Sequence, residues 1–340
     1  MMVPCDDLEM SGHAPGSQEW LDLVVEEVLD PDRPIIDPHH HLWPPGEGLP
    51  YGLADLHADA DSGHRIVRTV FVQCGAAQDR SLPDHLAPLG ETRFVAAESA
   101  RDPRTLIGGI VAHADLRRND LDDILDLHAE SGGVLFKGIR HALASAEHPE
   151  HLTIAGRAPR DLAHDAQFRR GVARLGDRGL TYDSWHYHHQ NGDFLALARA
   201  VPGTTMVLDH FGTPLGVGPW LARRAEILGD WRRDITAIAA CPNTVAKIGG
   251  LAMVDNGFGW DTADRPPTSD EFVVAQRDFY LHTIDAFGPE RCMFESNFPM
   301  DRMSLSYRTL WNAFKKIAAG FTETEKSAVF HDTAARVYSL

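Results

Sequence analysis

Eight short runs rich in β-branched and aromatic residues, with helix-patterned segments between most of them, set the strongest limit on how this chain can fold. They are PIID from residue 34, IVRTVFVQC from 66, GGIVAHADL from 108, GVLFKGIR from 133, GLTYDSW from 179, TTMVLDH from 204, NTVAKIGG from 243 and RCMFES from 291. Strands joined through helices run parallel and cross over in a right-handed sense. Eight such units close into an α/β fold of the (β/α)8 TIM-barrel type more readily than they extend an open sheet. An open, doubly wound sheet is the alternative. The 340 residues, 43% of them hydrophobic, suffice for one large domain or two small ones. We divide the chain into a tail and helix over 1–33 and a barrel over 34–340.

Ahead of the first strand, Trp20, Leu21, Val24, Val25 and Val28 recur at helical spacing, with Ser17 placed to cap the start and Pro31 to stop it. This pattern predicts an N-terminal helical extension. Residues 1–16 mix Pro, Gly, Ser and acids without periodicity, and fit either a loose tail or an arm that orders on a neighbouring subunit. Later helices are well punctuated: TSDE at 268–271 and TETE at 322–325 fit capping boxes, and Gly288-Pro289 ends the helix before the eighth strand. Two long loops, 141–165 and 251–268, follow strands and belong on the catalytic face of a barrel.

A formal charge of −17 with no Lys/Arg-rich run argues against nucleic acid and for a small-molecule substrate. Cys5, Cys74, Cys241 and Cys292 form no CxxC pair, so neither a disulfide framework nor a structural zinc site is signalled. With neither a signal-peptide pattern nor an apolar run of membrane-spanning length, the expected home is the cytoplasm. A homodimer is the default for a symmetric soluble enzyme.

The stretch DPHHHLW places three histidines at the end of the first strand. Side chains at i and i+2 share a direction, so His39 and His41 project together and His40 is opposed. That spacing suits two ligands on one cation, although hydrogen bonding in a polar loop explains an isolated HxH equally well. Histidine recurs at other strand ends, as His188 in SWHYHHQ and His210 in VLDHFG, and four imidazoles meeting on one rim are hard to account for by packing.

These features, together with FKGIRH, YDSWHYHHQ, VLDHFGTP and RCMFESNFP, resemble the amidohydrolase superfamily, in its lactonase-like branch that includes sugar-lactone and 2-pyrone-4,6-dicarboxylate lactonases. The resemblance covers most of residues 34–340. It implies a hydrolytic site at the C-terminal rim, with His39, His41, His188 and His210 at positions that bind metal or substrate. Some members of the branch hold one divalent ion, commonly zinc, and the pyrone-dicarboxylate type works without one. If a metal is bound here, zinc or manganese, the expected ligands are His39, His41 and His210. One departure stands out: the family pattern reads Ser-Asp-Trp-Pro where this chain has Ser296-Asn297-Phe298-Pro299. Asn297 can orient water or donate to an oxyanion, but it neither takes a proton nor neutralises a cation.

The base must then come from elsewhere. Glu295 shares the direction of Asn297 one layer deeper, where an internal ion pair is the plainer role; Asp301 lies in the following loop; a neutral His188 or His210 is an equal candidate. Arg140 ends the fourth strand, where its guanidinium could stabilise an oxyanion or sit in a surface ion pair. Lys137 and Lys247 fall within strands and need partners. Gln73, His141 and His186 are further candidates for substrate contact. Trp43, Trp185, Tyr187, Phe258 and Trp260 could wall a pocket or anchor loops, whereas Leu310, Trp311, Phe314 and Ile317 sit at helical spacing and read as core. The expected activity is hydrolysis of a small cyclic ester or related carbonyl compound, with Arg140 and the histidines polarising the carbonyl and Asn297 orienting water. Amide hydrolysis, decarboxylation, or ligand binding without turnover remain the alternatives.

Overall fold

The computed structural model describes residues 13–340, so most of the tail lies outside the described residues. Eight strands form one sheet in chain order: β1 (Pro34–His40), β2 (Arg65–Val72), β3 (Ile107–Ala112), β4 (Phe136–Arg140), β5 (Thr181–Ser184), β6 (Met206–Leu208), β7 (Thr244–Ile248) and β8 (Cys292–Phe294). Every neighbouring pair is parallel. The chain beyond β8 returns to β1, where Asn297 N–H donates to His39 O at 3.0 Å and His41 N–H to Phe298 O at 2.8 Å. The sheet is therefore a nearly closed (β/α)8 barrel, not an open one.

Strand alternation sorts the interior into layers. Outward residues such as Ile35, Phe71, Ile139, Leu208 and Phe294 pack beneath the helices. Inward residues such as Ile36, Val70, Val111, Val207, Val245 and Met293 form a separate apolar cluster that Tyr338 joins from the C-terminal helix Thr333–Tyr338. That helix covers the N-terminal end of the barrel, where Lys137 Nζ donates to Ser339 O at 2.9 Å. Asp209, Lys247 and Glu295 each stand two residues beyond an inward apolar neighbour (Val207, Val245, Met293). The same alternation thus lifts a charged layer above the apolar one, toward the C-terminal rim.

Both capping boxes form: Thr268 and Glu271 open helix Ser269–Phe287, and Thr322 and Glu325 open Glu323–Ser327. Gly288 (φ 82°) ends the former, and Leu310, Trp311, Phe314 and Ile317 are buried. The N-terminal helix is far shorter than its pattern predicts. Ser17 caps it as expected, but it spans only Gln18–Leu21. Beyond it the backbone bonds to side chains of helix Tyr307–Ile317: Asn312 bonds Leu29 N–H and Glu27 O, and Lys315 bonds Leu29 O and Asp30 O. These tertiary bonds replace intrahelical ones in a segment whose β-branched valines favour helix weakly. Cys74, Cys241 and Cys292 are free thiols. Among the described residues no helix is long and apolar enough to cross a membrane.

Candidate active site

The site begins at the end of β1. Asp37, fully buried, accepts from Ser296 N–H (2.9 Å), His39 N–H (3.3 Å) and Tyr307 Oη (2.9 Å), which ties β1 to the chain after β8. Burial pushes its carboxyl up to about 6. His40 turns away from the site onto Thr69 Oγ1 at 3.0 Å. His39 and His41 face the same side, ring centres 5.0 Å apart. His41 Nδ1 lies 2.7 Å from Val72 O, and since a carbonyl only accepts, the proton is on Nδ1 and Nε2 keeps its lone pair. Burial, followed by the charge of Lys247 for His39 and of Arg140 for His41, holds both well below the usual histidine range. Both rings are neutral.

Arg140 reaches in from the end of β4. Its Nη1 donates to His39 Nε2 at 3.2 Å and to Asp209 Oδ2 at 3.5 Å, its Nη2 donates to Gln73 O, and its Nε is buried without a partner. Asp209 and His210 are adjacent in sequence, and plain alternation would separate them. Both reach the site because His210 (φ 53°), Phe211 (φ 58°) and Thr213 (φ 40°) take left-handed backbone, a conformation costing about 1–3 kcal/mol per residue and held by the surrounding structure. Glu295 supports the two histidines: Oε1 accepts from His210 Nδ1 at 2.7 Å, and Oε2 lies 2.7 Å from His39 Nδ1. Gly249 and Gly250 after β7 make the room. A Cβ on Gly249 would fall 2.5 Å from Glu295 Cγ, and one on Gly250 (φ 74°) 2.3 Å from His210 Nδ1.

Beneath them Lys247, fully buried, lies 2.8 Å from Asp183 Oδ2 and 3.4 Å from Asp209 Oδ1. Burial opposes its charge, but Asp183, Asp209 and Glu295 outweigh it and raise its pKa. Asp209 is lowered for the converse reason: burial opposes ionisation, and Lys247 and Arg140 override it.

His39, Asp209 and His210 can each point one donor atom at a common point, all within 4.8 Å of one another. His39 Nδ1, Asp209 Oδ1 and Glu295 Oε2 are buried without a hydrogen-bond partner, because the short His39–Glu295 contact is not aligned along a ring N–H. Two imidazoles and a carboxylate are three of the four donors a zinc site needs, so this set fits one divalent ion. It differs from the expected set in using Asp209 where the sequence pointed to His41.

The cavity above this layer has a volume of about 470 Å³. His41, His210, Arg140, Gln73, Asn297, Trp43 and Trp185 line it as the sequence proposed. Asn297 (φ 56°) turns its amide to donate to Asp301 Oδ1 at 2.9 Å, and burial pushes the Asp301 carboxyl up to about 7. Five expected residues do not line the cavity: His39 is fully buried just beneath it, against Arg140 and His210, and four others lie away from it. His188 accepts from Leu215 N–H through Nδ1 at 3.2 Å, so the four-imidazole cluster reduces to His39, His41 and His210. His186 bonds Ser184 and Asn191 and stacks on Phe194. His141 accepts from Leu116 N–H and packs on His113 and Phe168. Tyr187 is buried, its Oη bonded to Gly156 N–H and Ile154 O. The loop beyond β5 coils rather than extends, so alternation does not carry past Ser184. Phe258 and Trp260 stack on each other and pack toward Phe279 and Phe272, as loop anchors. Sequence reasoning passed over Asp209, which two-residue alternation from Val207 would have found, and Cys74, Met253 and Met300, which carry no local signal.

Residues 36–340 match the amidohydrolase family. The uncharacterized protein y4mH of Sinorhizobium fredii is 33% identical over 330 residues, covering 91% of this chain and 99% of that protein. L-fucono-1,5-lactonase of Burkholderia multivorans is 29% identical over 314 residues, covering 90% and 96%. A Burkholderia multivorans amidohydrolase crystallised with bound zinc is 27% identical with a TM-score of 0.70, over 91% of this chain and all of that one. Barrel, rim histidines and matched length agree: the chain belongs to the amidohydrolase family.

Proposed function

We propose that this protein hydrolyses a small cyclic ester with water. The observation that carries the reading is the convergence of His39, His41, His210 and Arg140 at the mouth of one barrel, beside a cavity of substrate size. The similarity to L-fucono-1,5-lactonase supports a lactone as the ester.

In this mechanism the lactone carbonyl oxygen lies against Arg140, whose unpartnered Nε donor and guanidinium charge stabilise the oxyanion as it forms. His210, with its Nδ1 proton held on Glu295, offers Nε2 as the base. Water oxygen bonds to the carbonyl carbon while its proton passes to His210 Nε2. The ring C–O bond then breaks, and that proton goes to the departing oxygen, leaving an open hydroxy acid. Asn297, its amide N–H committed to Asp301, has its carbonyl oxygen left to orient the water. A divalent ion held by His39, Asp209 and His210 would supply Lewis-acid polarisation of the same carbonyl; with His210 Nδ1 on Glu295 it would take up His210 Nε2, and the base in that state would be His41 Nε2.

A panel of lactones, amides and aromatic acids, assayed beside elemental analysis of protein purified without added metal, tests the reading. Lactone turnover is expected, lost in Arg140→Met. Turnover of amides or release of carbon dioxide, with lactones inert, would overturn it.

A further inference from the structure

The cavity is divided by origin. Its floor comes from strand ends and carries the polar groups; its walls come from the loops beyond them. Trp43 and Leu49 follow β1, Ile154 follows β4, Trp185 follows β5, Met253 follows β7 and Met300 follows β8. Each wall residue is apolar, and exposed Thr153 is the polar exception. We infer that the substrate is a lactone with an apolar alkyl or aryl body, not a polyhydroxylated sugar lactone; the inference rests on the hydrolytic reading above and sharpens it.

The polar valences are confined to the floor, and some of them are already engaged. Asn297 gives its amide N–H to Asp301 at 2.9 Å, and Gln73 gives its own to Arg140 O at 3.4 Å. The Nδ1 atoms of His41 and His210 are taken by Val72 O and Glu295. Arg140 Nε, two imidazole edges and the remaining amide positions of Asn297 and Gln73 are left at the floor, where they serve the ester carbonyl and the water, and none of them lies on the walls. A sugar lactone would bring several hydroxyls against Trp185, Ile154 and Met253, and each hydroxyl buried without a partner weakens binding by about tenfold to a hundredfold. The walls are also held in place. Asp255 accepts from Thr153 N–H (2.8 Å) and Ile154 N–H (3.1 Å), and Tyr187 Oη donates to Ile154 O at 2.9 Å, so Ile154 is fixed facing the cavity.

The test is a series of δ-lactones with lengthening alkyl chains, set against a hexose-derived δ-lactone, with calorimetric Kd values for the matching hydroxy-acid products. We expect kcat/KM and product affinity each to rise about fourfold per methylene, and the sugar lactone to be at least about 100-fold poorer than the best alkyl one. Ile154→Ser should flatten the series. A flat series in the unaltered protein, or a sugar lactone and its product acid equal to the alkyl compounds, would overturn the inference. If product affinity follows chain length while no lactone is hydrolysed, the apolar specificity stands and the hydrolytic reading falls.

Discussion

Lys247→Met tests whether the charged layer under the site is held by its central ammonium. Methionine keeps much of the length and volume while deleting the charge that lies 2.8 Å from Asp183 and 3.4 Å from Asp209. Asp183 would keep Tyr338 Oη at 2.5 Å and Thr181 Oγ1 at 2.8 Å, both neutral donors. Asp209 would keep Arg140 at 3.5 Å. Removing one partner of a buried ion pair costs about 3–5 kcal/mol, which in a chain of this size lowers Tm by roughly 4–7 °C. The loss should depend on pH. Burial already raises Asp183 with the ammonium present, and without it the folded-state pKa lies higher still above the unfolded value. A carboxyl raised on folding contributes stability that is complete below the unfolded pKa and is lost as pH rises through the folded one. The deficit of the variant should therefore be smaller at about pH 5 than at about pH 8. Urea titrations at both values, on the variant and on Lys247→Met with Asp183→Asn, measure this. The second substitution removes one of the two stranded charges and should recover part of the loss, a coupling of at least about 1 kcal/mol. A deficit below about 1 kcal/mol, equal deficits at both pH values, or strict additivity would refute the ion-pair account.

Three further outcomes follow from single contacts. Glu295→Gln leaves an amide that can accept from one imidazole N–H but presents its own N–H to the other; kcat should fall about 10²- to 10⁴-fold with little change in Tm, and nitrogen NMR should show altered histidine tautomers. Unchanged kcat would remove Glu295 from the mechanism. Gly250→Ala places a methyl 2.3 Å from His210 Nδ1 at a φ of 74°, so activity should drop much further than the stability loss of about 1–3 kcal/mol measured by melting. Activity within about twofold of the parent would show that the ring position is unimportant. Asn297→Asp sets a second carboxyl 2.9 Å from Asp301, whose own pKa is already pushed up to about 7, so stability should decline as pH rises past neutrality. A gain of activity there would favour the alternative of a binding protein that had lost turnover through this change.

The barrel was legible because its signals are local. β-branched runs, caps at Thr268 and Thr322 and the stop at Gly288 depend on neighbours within a few residues, and the structure forms each of them. The N-terminal helix failed where a local pattern met distant competition: Asn312 and Lys315, nearly 300 positions away, supply the backbone of 27–30 with partners a helix would have supplied itself. Periodicity reports which faces are apolar, and says nothing of side chains elsewhere that bond the backbone.

Within the site, legibility ends where the strands end. Alternation places His39 and His41 together and His40 apart, and sets Glu295 one layer beneath Asn297, because each lies on or next to regular pleat. It has no authority over His188, which follows the coil after Ser184, or over the pairing of Asp209 with His210, which needs four consecutive left-handed residues, three of them not glycine. Asn297 shows the same limit in chemical form. The sequence shows that a carboxylate is missing at that position; only the assembled barrel shows Glu295, two residues earlier, with both oxygens on the Nδ1 edges of His39 and His210. Gly249 and Gly250 leave the space that this side chain and the His210 ring occupy. The acid absent from position 297 and the acid present at 295 are therefore one question about where negative charge meets the imidazoles, and Glu295→Gln and Asn297→Asp bear on it from opposite sides.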